Sequence, residues 1–159
     1  HNSPQFIAQA VREQLESLSK TCSSLFVGYG DCGTAGELDK VLEEFGATRL
    51  KGSHCYAFFS GIDVFDDMHE REIGTFYLTD YLARQFENLV FKPLGLDRHP
   101  ELRDSYFGHY EKLVYLAQTE DPSLTEKARA AADRLGLTFE RRKTGYGDLE
   151  TTLTDWARR

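Results

Sequence analysis

Cysteine is scarce in this sequence, and long apolar runs are missing from it. The 159 residues include only three cysteines, an odd number in a chain large enough to build its own core. This usage favours reduced thiols over a disulfide framework. No apolar run approaches the roughly 20 residues that span a bilayer, and the first residues lack the features of a signal peptide. We therefore expect a soluble, cytoplasmic protein that does not enter a membrane.

Positive charge is also in short supply. Nineteen Lys and Arg against 26 Asp and Glu leave a formal net charge of −7 at pH 7. This balance argues against a nucleic-acid partner or an anionic membrane surface. With 40% apolar residues and only four prolines, the chain fits neither the disordered nor the collagen-like class. One globular domain, residues 1–159, is the prediction.

Short β-rich segments alternate with helical patterns along the chain. Strands are predicted near residues 24–29, 47–50, 75–78, 113–117 and 137–141. Helices or helical turns are predicted near residues 4–19, 38–45, 56–68, 80–90, 100–110, 123–135 and 148–156. This alternation predicts a three-layer, Rossmann-like α/β fold, in which a mainly parallel sheet carries helices on both faces.

Polar or glycine-rich segments follow all five predicted strands. They cover residues 29–34, 53–55, 79–80, 118–119 and 144–148. Because the carboxyl ends of parallel strands meet at one edge of a sheet, we expect a small-molecule site there.

Two cysteines and a histidine belong to these segments. Cys32 follows Asp31 just before a predicted helix, where free N–H groups and the helix dipole favour a thiolate. Cys55 follows His54 after the next strand. The three side chains could converge as a Cys2His set for zinc or iron, with His1 as a further ligand. The alternative is two buried cysteines and a histidine bonded to a backbone carbonyl.

A glycine-rich tetrapeptide occurs twice, at residues 28–31 and 145–148, each time between a strand and a helix. Such loops can present backbone amides to an anion. The predicted ligand-binding residues are Gly30, Gly33, Thr34, Gly145, Tyr146 and Gly147. Residues 28–33 also fit the G-x-G-x-x-G pattern, but the acidic residue expected about 20 positions later in a dinucleotide site is absent.

Several short motifs together are similar to the bacterial and archaeal family called domain of unknown function 1638. They are His1-Asn2-Ser3-Pro4, Tyr29-Gly30-Asp31-Cys32-Gly33-Thr34, His54-Cys55-Tyr56, Gly74-Thr75-Phe76, Leu78-Thr79-Asp80, residues 94–102, Tyr106-Phe107-Gly108 and residues 114–119. The resemblance spans nearly the whole chain. It implies a further strand and helix before the first motif, so an N-terminal strand of the sheet is expected to be missing.

The same resemblance favours Asp31, Cys32, His54 and Cys55 as the site, but it implies no particular reaction. Genes of the family often lie near those for corrinoid or methylamine-type methyl transfer. This context implies a corrinoid or methyltransferase protein as a partner.

Our first functional hypothesis is a metal-dependent enzyme, in which zinc or iron held by Cys32, His54 and Cys55 activates a thiol, water or small organic substrate. Asp31 would orient His54 or act as a base, and the loop at residues 145–147 would hold an anionic part of the substrate. Methyl transfer to a thiol or small amine is the most specific version.

Two alternatives remain open. One is a non-catalytic module that binds a small molecule, or a corrinoid or methyltransferase partner. The other is a metal-free enzyme in which His54 activates Cys32 as a nucleophile.

Overall fold

The computed structural model describes residues 3–52 and 54–158, without the side chains of residues 63, 66 and 68–70. The strands are β1 (Phe26–Val27), β2 (Thr48–Arg49), β3 (Thr75–Thr79), β4 (Lys112–Ala117) and β5 (Thr138–Lys143). The α-helices are α1 (Ile7–Leu18), α2 (Glu37–Phe45), α3 (Cys55–Ser60), α4 (Ile62–Arg71), α5 (Asp80–Phe86), α6 (Arg103–Phe107), α7 (Pro122–Leu135) and α8 (Gly147–Ala157). Short 3-10 turns, Pro4–Phe6 and Pro100–Leu102, precede α1 and α6, and a π-helical turn, Glu87–Phe91, continues α5.

All strand pairs of the described residues are parallel. β1 pairs with β2, and β3, β4 and β5 form a second sheet with β4 in the middle. Residues 113–117 of β4 are completely buried. A continuous apolar run of this kind is typical of a central parallel strand, which has helices over both of its faces.

Alternate side chains of the larger sheet face two different helix layers, as the two-residue period of a strand requires. Leu113 and Tyr115 pack in one cluster with side chains of α5 and α7. Val114 and Leu116 pack in another cluster with side chains of α3 and α4. The predicted three-layer α/β class, with helices on both faces of a parallel sheet, is therefore confirmed.

The smaller sheet has a helix layer of its own. A third cluster joins α1 to α2 through Leu15, Leu38, Val41 and Leu42, and Val27 of β1 packs against it. No helix in the described part of the chain is both long and apolar enough to cross a bilayer.

A buried carboxylate joins the ends of β3 and β4. Asp80 is the first residue of α5, and its Oδ1 accepts hydrogen bonds from the Tyr115 hydroxyl at 2.7 Å and from the Gln118 N–H at 2.9 Å. Its Oδ2 accepts from the N–H of Thr119 at 3.0 Å and from the Thr119 hydroxyl at 2.6 Å. In return, Gln118 Oε1 accepts from the Asp80 N–H at 2.7 Å. Thr79 completes the helix start, because its hydroxyl oxygen accepts from the N–H of Leu82.

We expect Asp80→Asn to lower the free energy of unfolding by about 2–4 kcal/mol. The amide NH2 group cannot accept the two bonds that one carboxylate oxygen receives, and those buried donors lose their partner. Asp133→Asn, on the exposed side of α7, is the control and should change stability by less than about 0.5 kcal/mol. Urea unfolding measures both, and equal midpoints for the two variants would contradict this role of Asp80.

Candidate functional site

The residues that follow β1, β2 and β3 enclose a cavity of about 480 Å³, which we call the main pocket. Its polar groups are Cys32 from the loop after β1, and His54, Cys55 and Tyr56 from the start of α3. Its apolar wall comes from β3, α5, the π-helical turn and the segment up to α6, and comprises Phe76, Leu82, Leu89, Val90, Pro93, Leu94 and Phe107. Lys, Arg, Asp and Glu are absent from this described lining.

The structure brings Cys32, His54 and Cys55 to the same pocket. Parallel pairing of β1 with β2 explains this meeting, because the two strands run side by side and the segments after them leave the sheet at the same edge. The fourth predicted ligand, His1, lies outside the described residues.

A second pocket of about 380 Å³ adjoins the main pocket. Its lining includes residues 28–30, Phe58 and Tyr81. Cys32 and Cys55 line both pockets. The two cysteines therefore border both spaces.

The loop that carries Cys32 is held by its neighbour Asp31. The carboxylate of Asp31 accepts from the Thr34 hydroxyl at 2.7 Å and from the Gly36 N–H at 3.0 Å. The hydrogen bond from Thr34, followed by that from Gly36, lowers the pKa of Asp31. The N–H of Asp31 also donates to the Gly52 carbonyl at 3.2 Å, which ties this loop to the segment after β2. Asp31 and Thr34, both predicted as site residues, thus position the loop, and a carboxylate of lowered pKa is a weak base.

Cys32 has a backbone φ of +48°, and the following Gly33 has a φ of +85°. The left-handed region is uncommon for residues other than glycine, and such strained positions cluster at functional sites. Gly30 lies so close to the Phe58 ring and the Gly52 carbonyl that a side chain would crowd both. Gly30 and Gly33 therefore serve the path of the loop, and Gly30 also lines the second pocket.

Both pocket thiols are held in the neutral form at pH 7. Burial raises the pKa of Cys55 to about 11, and the charge of Cys32 adds to this shift. Burial also raises the pKa of Cys32, against backbone hydrogen bonds from Gly30 and Cys55 that lower it. The helix dipole was expected to favour a Cys32 thiolate, but α2 begins only at Glu37, beyond the first turn over which a dipole acts.

The second glycine-rich loop lies elsewhere, and the described linings of the main and second pockets do not include Gly145, Tyr146 or Gly147. A Cβ atom at Gly147 would overlap the carbonyl oxygens of α3, so this glycine permits close packing of α8 on α3. Asp148 Oδ2 accepts from the N–H of the first residue of α4 at 3.1 Å. Gly147 and Asp148 therefore pack the start of α8 against α3 and bond it to the first residue of α4.

The basic residues beside that loop are paired with acids. Arg141 and Lys143 both contact Glu120, at 2.7 Å each. Arg142 contacts Glu72 at 2.8 Å and also pairs with Glu140. The positive charge beside this loop is therefore already engaged in ion pairs.

Most of the apolar wall was missed by the sequence reasoning. A regular helix was predicted through Val90, whereas α5 ends at Phe86 and a π-helical turn follows. Leu89 and Val90 on this turn line the main pocket. The available signal was Pro93, which marks the end of a helix a few residues upstream.

Metal ligation requires more than a shared pocket. In residues 3–52 and 54–158, no three His, Cys, Asp or Glu side chains are grouped so that they could hold a metal ion. His54 is exposed, so the two sulfurs and the imidazole line one pocket without forming a finished coordination set.

The fold and the pocket define a parallel α/β protein with a ligand-sized cavity at the ends of its strands. Residues 1–153 match the family described as a protein of unknown function (DUF1638), and the chain belongs to that family. The resemblance predicted from the short motifs is confirmed. No curated protein and no solved structure matches the chain.

We expect iodoacetamide at pH 7 to alkylate Cys55 at least about tenfold more slowly than the exposed Cys22. Cys32, whose pKa is also raised by burial, should react more slowly than Cys22 as well. A pKa of about 11 in place of 9.0 leaves Cys55 about a hundredfold less thiolate, and higher intrinsic nucleophilicity recovers only about tenfold. The rates should rise as the pH increases toward 10. Peptide mapping by mass spectrometry gives the three rates, and labelling of Cys32 faster than Cys22 would instead favour the nucleophile hypothesis.

Proposed function

We propose that this chain binds a small, uncharged and largely apolar molecule in the main pocket. The observation that carries the proposal is the composition of the cavity, in which an extended apolar wall meets four polar side chains, two cysteines, a histidine and a tyrosine. A volume of about 480 Å³ lies within the range of about 300–1,000 Å³ of small-molecule sites.

The charge of the lining narrows the class of ligand. Burying an ionised group without a partner is costly, and the described lining contains no Lys, Arg, Asp or Glu that could pair with one. The neutral thiols of Cys32 and Cys55 and the hydroxyl of Tyr56 can make hydrogen bonds to a polar group at one end of the molecule. A planar ring system with one polar substituent has these properties.

Indole serves as a probe of this class. At a concentration ten times its Kd, we expect it to stabilise the protein by about 1.4 kcal/mol, because it binds the folded state. This corresponds to a rise in Tm of about 3–6 °C for a chain of this size. Differential scanning calorimetry measures the shift.

The matched variants place the same side chain inside and outside the pocket. Val90→Phe fills the main pocket and should abolish the indole shift, whereas Val64→Phe, at an exposed position of α4, should preserve it. Equal shifts in the two variants, or no shift in the unmodified protein, would contradict binding in the main pocket.

A metal-dependent reaction is the second candidate, and the meeting of two sulfurs and one imidazole at the main pocket favours it. Thiolate and imidazole are typical ligands of zinc and iron. This candidate requires the exposed His54 to turn toward Cys32 and Cys55. A bound ion would activate a thiol, water or small organic substrate at its open position, with methyl transfer to a thiol or small amine as the most specific reaction. The association with a corrinoid or methyltransferase protein stays a prediction.

Titration of the untagged protein with Co²⁺ tests the metal candidate. We expect binding of one ion with thiolate-to-cobalt absorption and with release of protons, because both thiols are protonated beforehand. Cys22→Ser should bind as the unmodified protein does, while Cys32→Ser and Cys55→Ser should each lose more than about tenfold in affinity. Identical titrations of all three variants would remove this candidate.

A further inference from the structure

We propose that Cys32 and Cys55 form a site of reversible oxidation, at which the two thiols close to one intramolecular disulfide. This proposal goes beyond ligand binding and does not depend on it. It concerns two side chains that lie 23 positions apart in the sequence.

The two pockets place these residues together. Cys32 and Cys55 both line the main pocket and the second pocket, so they border the same two spaces. The contribution of Cys32 to the raised pKa of Cys55 agrees with this proximity.

The backbone holds this arrangement in place. β1 and β2 are neighbouring parallel strands, and the N–H of Asp31 donates to the Gly52 carbonyl at 3.2 Å. The segment before Cys32 is thereby bonded directly to the segment before Cys55. The left-handed backbone of Cys32 is part of the same constrained turn.

Neither cysteine of the pair is already in a disulfide. Both are free thiols, Cys32 buried and Cys55 partly buried, so Cys55 is the more accessible of the two. Within the part of the chain that the structure describes, these sulfurs belong to no ready group of three metal ligands. Cys32 and Cys55 are therefore best described as a pair of thiols.

The reaction needs an oxidant, for which we name a low-molecular-weight disulfide, R–S–S–R. The thiolate of Cys55 attacks one sulfur, forms a mixed disulfide and releases one R–SH. Cys32 then attacks the Cys55 sulfur, and the second R–SH leaves. Each cysteine loses one proton and one electron, and the oxidant takes up both protons and both electrons to give two thiols.

The test uses the Cys22→Ser protein, which retains only the two cysteines of the pair. It is incubated with oxidised glutathione and EDTA at pH 8.5, and its intact mass is measured without reductant. We expect the monomer to lose the mass of two hydrogen atoms and to regain it with dithiothreitol. Peptide mapping should recover one linked pair of peptides that contain Cys32 and Cys55.

The controls are Cys22→Ser/Cys32→Ser and Cys22→Ser/Cys55→Ser, with alanine in place of the second serine if a variant fails to fold by circular dichroism. Neither control can lose two hydrogen atoms within a monomer. Stable glutathione adducts on both cysteines of the Cys22→Ser protein, unmodified thiols, or disulfides only between molecules would each overturn the proposal. Because no ligand takes part, these outcomes are independent of the indole experiment.

Discussion

The buried carboxylate of Asp80 is the constraint on which the described site depends most. A carboxylate removed from water must find hydrogen-bond donors, and Asp80 receives four bonds from Tyr115, Gln118 and Thr119. These bonds join the start of α5 to the end of β4, just beyond the last paired residues of β3 and β4, Thr79 and Leu116. Since α5 and the turn after it supply Leu82 and much of the apolar wall, the shape of the main pocket follows from this network.

Asp31 is a second carboxylate with a structural role. Its side chain accepts hydrogen bonds within the loop that presents Cys32, and its backbone N–H donates to the Gly52 carbonyl. Asp80 and Asp31 are therefore both engaged in structure. What the described pocket lining offers for chemistry is two thiols, an imidazole and a phenol, set against an apolar wall. Because the two carboxylates are engaged in structure and the described pocket lining contains thiols but no Lys, Arg, Asp or Glu, we infer an uncharged ligand and a thiol pair with redox chemistry of its own.

Local patterns were enough to predict much of the fold. The helices predicted at residues 38–45 and 123–135 end at the left-handed glycines Gly46 and Gly136. The strand predicted at residues 113–117 lies within β4. The shared location of Cys32, His54 and Cys55 followed from one topological rule, that parallel strands release their chains at the same edge.

Features that depend on long-range contacts were not predictable in this way. The bonds of Asp80 join residues 35 to 39 positions apart. The sequence around Asp80 contains no pattern that identifies its partners. The tetrapeptide repeated at residues 28–31 and 145–148 was expected to bind an anion at both places. In the structure, Gly147 packs against α3, whereas Gly30 lines the second pocket. The predicted Cys32 thiolate was wrong because burial, a property of the whole fold, raises the pKa of this thiol, and α2 begins only at Glu37.

The central claim is that the two thiols and the apolar wall belong to one cavity. Protection of the thiols by a pocket ligand measures this most directly. Saturating indole should slow alkylation of both Cys32 and Cys55 in proportion to its occupancy and leave the rate of Cys22 unchanged. Unchanged rates at Cys32 and Cys55 under conditions where indole is bound would show that ligand and thiols occupy different places, and would contradict the account.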